Sequence, residues 1–145
     1  GVLNWTASNE TGALDYIVEQ FRWNKWVKVG EVRGNGLPGQ HEYSFKVTPH
    51  SGTNKARVKQ VDYTGKPRFS STVEYDSDIE AITLEEKTKF KDEILFTNGE
   101  TLYEVYDKYG NIVKRGFGGK ANIQTLEKGT YYLSYDNKTE TIAIK

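Results

Sequence analysis

Residues 103–110 have the sequence YEVYDKYG, residues 126–131 have the sequence LEKGTY, and residues 141–145 have the sequence TIAIK. Asp107 and Gly110 are turn-forming residues, because Asp can hydrogen-bond the neighbouring backbone and Gly tolerates positive φ. The alternation of apolar and polar residues in the last stretch is typical of a half-buried β-strand. This third of the chain is therefore expected to form antiparallel hairpins.

Short alternating runs separated by turn-forming clusters continue along the whole chain. The predicted strands span residues 3–6, 15–21, 26–32, 43–47, 56–62, 69–75, 81–85, 93–96, 102–106, 112–115, 121–124, 131–135 and 141–144. Gly, Pro and Asn lie between them, and these residues preset or permit the backbone angles of turns. Regular strand spacing favours a β-sandwich over a βαβ fold, and no segment shows a convincing helical apolar period.

The acidic sequence Asp76-Ser77-Asp78 divides these strands into two groups. The sequence therefore predicts an all-β fold of two tandem small antiparallel β-sandwiches of fibronectin III-like or immunoglobulin-like type. The first is expected to span residues 1–77 and the second residues 78–145. Each would be close to the lower size limit for an independent hydrophobic core.

The composition excludes several classes of function. The chain has no cysteine, so it cannot form disulfides, a thiolate zinc site or a cysteine nucleophile. Its 20 Lys and Arg residues balance 20 Asp and Glu residues, which removes the basic footprint expected of a nucleic-acid-binding protein. No apolar run approaches the roughly 18 residues of a transmembrane helix, and no signal peptide opens the chain. An exported protein with this sequence would be a mature piece.

The sequence predicts no metal site and no cofactor. His41 and His50 are the only histidines, and their spacing does not match a metal triad. Asp76 and Asp78 could approach a calcium ion, but such a site needs six to eight oxygen ligands and the others are not apparent. A solvated acidic linker is the simpler interpretation of these carboxylates.

No catalytic residues are predicted, and the chain is not expected to be an enzyme. Neither carboxylate pair, at residues 85–86 or 92–93, can form a glycosidase site by itself, because adjacent residues on a strand point to opposite faces. The glycine-rich stretches at residues 34–36 and 116–119 precede no helix, so they are interpreted as hairpin loops and not phosphate cradles. No Gly-x-Ser-x-Gly nucleophile motif is present.

Trp23 has two interpretations. It stands beside Asn24 and Lys25 at a predicted loop tip, where an exposed indole could stack on a sugar ring and make the first domain a carbohydrate-binding module. The simpler interpretation, which we favour, is that Trp23 packs against neighbouring structure, because tryptophan is usually largely buried. Trp5 and Trp26 lie in alternating strands and are predicted to belong to the core.

The last third of the chain resembles the type A C-terminal sorting domain that secreted bacteroidete proteins carry for type IX secretion. The features that carry this resemblance are the Tyr-Asp-x-x-Gly turn at residues 106–110, the IVKR strand at 112–115, the Leu-x-x-Gly-x-Tyr hairpin at 126–131 and the closing strand with its terminal Lys at 141–145. The opening element of the family pattern is absent, and residues 85–90 stand in its place.

The first part of the chain resembles the fibronectin type III-like domain that often precedes this sorting domain. Five sequence blocks match it in order, at residues 3–8, 16–19, 26–32, 43–45 and 57–65. The strand that normally precedes the first of these blocks is absent. The resemblance therefore implies an open sheet edge near Leu3 that could pair with another chain.

Together these resemblances imply that the chain is the non-catalytic C-terminal region of a larger secreted protein. The second domain would be a sorting signal that binds the type IX translocon, and a surface transpeptidase would cut near residues 76–80 and attach the protein to the cell surface. The implied localisation is the outer-membrane surface or the medium, reached through the periplasm. The first domain would be a spacer or accessory module. The alternatives are a carbohydrate-binding accessory module of a polysaccharide-degrading enzyme and a structural adhesin stalk.

Within the second domain, the glycines would permit turns with positive φ and the basic residues would be exposed contacts for the translocon. The residues predicted to be recognised by the translocon are Gly110, Lys114, Gly129, Tyr131 and Lys145.

Overall fold

The computed structural model describes residues 2–8, 14–36, 39–62, 64–85 and 89–145. These residues form β-strands joined by turns and include no helix, so the predicted all-β class is confirmed. The strands are β1 (Val2–Ser8), β2 (Asp15–Arg22), β3 (Lys25–Arg33), β4 (Gln40–Lys46), β5 (Gly52–Val61), β6 (Pro67–Phe69), β7 (Val73–Ser77), β8 (Thr83–Leu84), β9 (Lys89–Phe90), β10 (Glu93–Thr97), β11 (Thr101–Tyr106), β12 (Ile112–Gly118), β13 (Lys120–Asn122), β14 (Gly129–Tyr135) and β15 (Lys138–Ile144).

The chain divides into two compact units. Unit 1 comprises residues 1–49 and 53–77, and unit 2 comprises residues 50–52 and 78–145. In unit 2, the backbone N–H of Ser51 donates a hydrogen bond to Asp136 Oδ1 at 2.8 Å.

Unit 1 is an antiparallel sandwich of two sheets. One sheet is the pair β1–β4, and the other has the order β3-β2-β5-β6, with β7 also paired to β5. The buried residues of its core come from both sheets and from the segment after β4. They are Leu3, Tyr16, Val18, Val47, Ala56 and Val58. Among the described residues, β1 pairs on one side only, so its other edge carries no strand.

Unit 2 is also a sandwich, with a larger core. Its five-stranded sheet has the order β12-β11-β14-β15-β9, and its three-stranded sheet has the order β13-β10-β8. The buried core residues are Ile82, Phe90, Ile94, Phe96, Tyr103, Val105, Ala121, Ile123, Leu133, Tyr135, Ile142 and Ile144. Alternate residues of β11, β14 and β15 thus face the second sheet, as the period of two in a strand requires.

An aromatic ring lies over a strand glycine in each unit. In unit 1, the ring of Phe45 occupies the space where a Cβ on Gly30 would lie. In unit 2, a Cβ on Gly116 would come within 2.5 Å of the Tyr103 hydroxyl oxygen. Glycine is therefore required at both positions for close packing.

One prediction about the strands is wrong. Residues 69–75 were expected to form one strand, but β6 ends at Phe69 and β7 begins at Val73. The Ser70 hydroxyl explains the interruption, because its oxygen accepts the Val58 N–H at 2.8 Å while the hydroxyl donates to Ser71 O. The short strand β9, for which the sequence predicted no strand, pairs with β15 in parallel.

The prediction for Trp26 is also wrong, whereas Trp5 packs against the core of unit 1 as expected. Trp26 and the buried Val27 are neighbours on β3, so their side chains point to opposite faces. Trp26 therefore lies on the outer face of the sheet, where its ring meets Phe21 edge-on at a centroid distance of 5.4 Å.

Candidate functional site

The five residues predicted for translocon recognition lie toward the same end of the five-stranded sheet in unit 2. On β12, Lys114 pairs with Val105, close to the end of β11. Because β14 runs antiparallel to β11, its first residues lie beside the turn that follows β11. The closing strand β15 ends at the same place, since Gly129 pairs with Ile144. The ordinary pairing of hairpins thus gathers residues that are up to 35 positions apart in the sequence.

The turn between β11 and β12 is held by one carboxylate. Asp107 Oδ1 accepts hydrogen bonds from the backbone N–H groups of Tyr109 and Asn111, both at 2.9 Å. The hydrogen bond from the Asn111 backbone is the main reason that the pKa of Asp107 lies below its usual value. Gly110 has a φ of 85° and donates its N–H to Asp107 O at 3.1 Å, so this position favours glycine.

Unit 1 contains the same turn between β5 and β6. Asp62 Oδ1 accepts the backbone N–H groups of Thr64 and Lys66, both at 2.9 Å, and Gly65 again has a φ of 85°. The Thr64 hydroxyl, which donates to the same oxygen, is the main cause of the lowered pKa of Asp62. The sequence signal for this similarity is the pattern Asp-x-x-Gly, which occurs at residues 62–65 and 107–110.

Gly129 and Tyr131 shape the start of β14. Gly129 has a φ of 152°, within the region that favours glycine, and a Cβ there would meet no atom within 4 Å. The Tyr131 hydroxyl donates to Glu127 O at 2.8 Å, and its ring packs against the core of unit 2. Tyr131 thus fixes the loop before β14 to the sheet and is only partly available to a partner.

The two lysines of the predicted set differ in exposure. Lys145 is exposed, and its backbone N–H donates to Phe90 O at 2.9 Å. Lys114 is half-buried, so only part of its side chain is available as the predicted exposed contact. An edge strand with a partly buried lysine resists pairing with other chains, which gives Lys114 a structural role as well.

The same end of unit 2 offers two features that the sequence analysis missed. Tyr109, at the tip of the Asp107 turn, has 77% of its surface exposed, and Lys108 lies 5.2 Å from its ring centroid. A cavity of about 370 Å³ adjoins the last residue, with Phe90, Lys91, Asp92, Glu93, Leu95 and Lys145 in its wall. The position of Tyr109 inside a predicted turn was the available signal for its exposure. The cavity depends on the β9–β15 pairing, for which the sequence held no clear pattern.

The residues of the alternative carbohydrate site form the tight turn between β2 and β3. Trp23 and Asn24 have φ values of 52° and 62°, as in a type I′ hairpin. The Trp23 side chain is half-buried, its indole Nε1 is enclosed by protein, and the Arg22 guanidinium lies 5.6 Å from the ring centroid. Asn24 is exposed and Lys25 is half-buried. The indole at this turn is therefore only partly accessible.

Metal-binding clusters and membrane-spanning helices are absent from the part of the chain that the structure describes. No group of three or more His, Asp or Glu side chains there could hold a metal ion. Buried His50 has its Nδ1 2.7 Å from Ser51 O. None of the described residues belongs to a helix that could span a membrane.

No protein-family model matches the chain, and no curated protein matches it significantly.

Proposed function

We propose that unit 2 is a sorting domain for type IX secretion and that the chain is the non-catalytic C-terminal region of a larger secreted protein. Unit 1 then serves as a spacer or accessory module. Under this proposal, the protein crosses the periplasm and reaches the outer-membrane surface or the medium. The partners are the translocon and a surface transpeptidase.

The observation that carries this proposal is the position of the closing strand. β15 is paired on one side with β14 and on the other with β9. Its end pairs with the start of β14, at the same end of the sheet as the Asp107 turn. A translocon that binds folded proteins needs a surface whose shape is fixed before the encounter. The paired strands supply such a surface, because ordering it costs no further conformational entropy on binding.

The surface would be recognised through shape and charge. Gly110 and Gly129 let the chain turn closely at this end of the sheet, while Lys145 and the exposed Tyr109 ring project from it. The transpeptidase would act between β7 and β8. Residues 78–81 there are exposed and belong to no strand, so a protease could reach their backbone.

The test is to fuse residues 1–145 to the C-terminus of a periplasmic reporter in a host with type IX machinery. The reporter should appear at the cell surface or in the medium, and it should stay in the periplasm of a strain that lacks the translocon. Periplasmic retention of the fusion in the competent host would count decisively against the proposal.

A matched pair of variants separates recognition from folding. Gly110→Ala and Gly65→Ala strain glycines with the same φ of 85° in similar turns, but only Gly110 lies at the proposed recognition surface. Gly110→Ala should reduce surface delivery, while Gly65→Ala should leave it near the unmodified level. Equal delivery of the two variants, with both proteins folded, would remove the assigned role of this end of unit 2.

A further inference from the structure

The outer face of the five-stranded sheet in unit 1 carries an arginine held between two aromatic rings. Arg57 Cζ lies 4.1 Å from the Trp26 ring centroid and 4.2 Å from the Phe69 ring centroid. Its Nε donates to Glu19 Oε1 at 2.8 Å. Three contacts therefore fix the plane of one guanidinium group.

The rest of this guanidinium group is available to a ligand. Among the described residues, no protein atom accepts a hydrogen bond from the two terminal nitrogens of Arg57, and 21% of the side chain is exposed. Two parallel N–H donors on a planar group match the two oxygens of a carboxylate. Because the fork is already oriented, little side-chain entropy is lost when such an anion binds.

Positive charges continue in a line along β5. Lys55, Arg57 and Lys59 occupy alternate positions, so they project from the same face at intervals of about 7 Å. Glu19 compensates the charge of Arg57. Lys55 lies over the Phe21 ring at 5.7 Å, and neither it nor Lys59 has a carboxylate partner among the residues that the structure describes. A row of this kind is complementary to a linear polymer with repeated anionic groups.

We infer that this face binds a polysaccharide whose sugars carry carboxylates. Arg57 would hold one carboxylate in a bidentate contact, and Lys55 and Lys59 would attract its neighbours along the polymer. The Phe69 ring, half of whose surface is exposed, would pack against the C–H face of a sugar. A nucleic acid fits less well, because the chain as a whole is electrically neutral.

This binding site does not depend on the secretion proposal. It is also a different site from the turn at Trp23. The site could not be predicted from the sequence, because Lys55, Arg57 and Lys59 come from one strand while Trp26 and Phe69 come from two others. Only the combined register of the pairs β2–β3, β2–β5 and β5–β6 brings the rings to the two sides of the guanidinium group.

The test is affinity electrophoresis of the whole chain in gels that contain polygalacturonate, its methyl ester, or single-stranded nucleic acid. Polygalacturonate should retard the protein and added salt should weaken the effect, while the methyl ester, which lacks the charges, should not retard it. No retardation by polygalacturonate, equal retardation by the ester, or retardation by nucleic acid alone would overturn the inference.

Variants test the arginine itself. Arg57→Lys keeps the charge and removes the planar fork, and it should weaken binding about tenfold or more, which corresponds to one charge-assisted hydrogen bond. Phe69→Ala changes an exposed ring and should also weaken binding without unfolding the protein. Arg115→Lys is the matched control, because Arg115 forms an ion pair with Glu104 in unit 2 through the same nitrogen. Unchanged affinity in both Arg57→Lys and Phe69→Ala, or an equal loss in the control, would refute the site.

Discussion

Unit 1 and unit 2 each close a hairpin with a turn of the same pattern, anchored by Asp62 in one unit and by Asp107 in the other. In both turns an Asp carboxylate accepts two backbone N–H groups, and a Gly with a φ of 85° follows three residues later. The turn is therefore a general solution for joining two antiparallel strands. It cannot identify a sorting signal by itself, and what distinguishes the second copy is its position at the end of the sheet where β14 begins and β15 ends.

The cores differ more than the turns do. The buried cluster of unit 2 contains twelve described residues and lies between sheets of five and three strands. The corresponding cluster of unit 1 contains six, and one of its sheets is only the pair β1–β4. Since hydrophobic stabilisation grows with the apolar area removed from water, unit 2 should be the more stable unit.

Matched leucine substitutions should show the largest difference between the units. Leu133 is fully buried in a central strand, whereas Leu3 is 9% exposed on β1, which is paired on one side. Leu133→Ala should lower the free energy of unfolding by about 4 kcal/mol and Leu3→Ala by about 2 kcal/mol. The loss should be smaller at Leu3 because its neighbours can relax into the vacated space, so that a smaller cavity remains. Urea denaturation followed by NMR signals from each unit measures both. Equal losses would show that the smaller sheet packs as tightly as the larger one.

The two covered glycines give a second comparison. In Gly30→Ala, the new methyl group would meet three ring carbons of Phe45, whereas in Gly116→Ala it would meet the hydroxyl end of Tyr103. Overpacking should cost about 2 kcal/mol at Gly30 and about 1 kcal/mol at Gly116, where the closest approach is slightly longer. Thermal unfolding of the two variants gives the measurement. A second substitution, Phe45→Leu, should restore part of the stability of Gly30→Ala, and no recovery would contradict the assigned clash.

Much of the fold could be predicted because its determinants are local. The alternation in residues 131–135 and the turn residues at 107–110 predicted β14 and the β11–β12 hairpin correctly. The gathering of the candidate recognition residues then follows from hairpin pairing. The two-residue strand β9 could not be predicted, since its parallel pairing with β15 connects distant segments and has no periodic signal.

The error at Trp26 has a different physical cause. Alternation shows that Trp26 and Val27 face opposite sides of β3, but it does not show which side is inside. The smaller Val27 is the buried residue, and Trp26 is held outside by Phe21 and Arg57. Those contacts come from β2 and β5, so the sequence of β3 alone could not reveal them.

Straining the similar turns at Gly65 and Gly110 should lower stability less than the core substitutions do, and by the same amount in both units. In Gly65→Ala and Gly110→Ala, the new methyl group would meet no atom within 4 Å, so the cost comes from the backbone angle alone. Each variant should lose about 1 kcal/mol of unfolding free energy. Chemical denaturation measures the loss. A clearly larger loss at Gly110 would mean that the second turn carries contacts that the first one lacks.

The smallest effect should appear on acidification, again in both units. The pKa values of Asp62 and Asp107 are lowered below 3.8, by the Thr64 hydroxyl and by the Asn111 backbone N–H respectively. Their stabilising contributions should therefore be complete above the unfolded pKa and should be lost as the pH falls through the folded values. Asp62→Asn and Asp107→Asn should each flatten this part of the stability profile slightly, because exposed charges interact weakly. NMR titration of the two carboxyl groups below about pH 5 checks the direction. A folded pKa at or above 3.8 for either residue would show that its turn hydrogen bonds do not favour the ionised carboxylate.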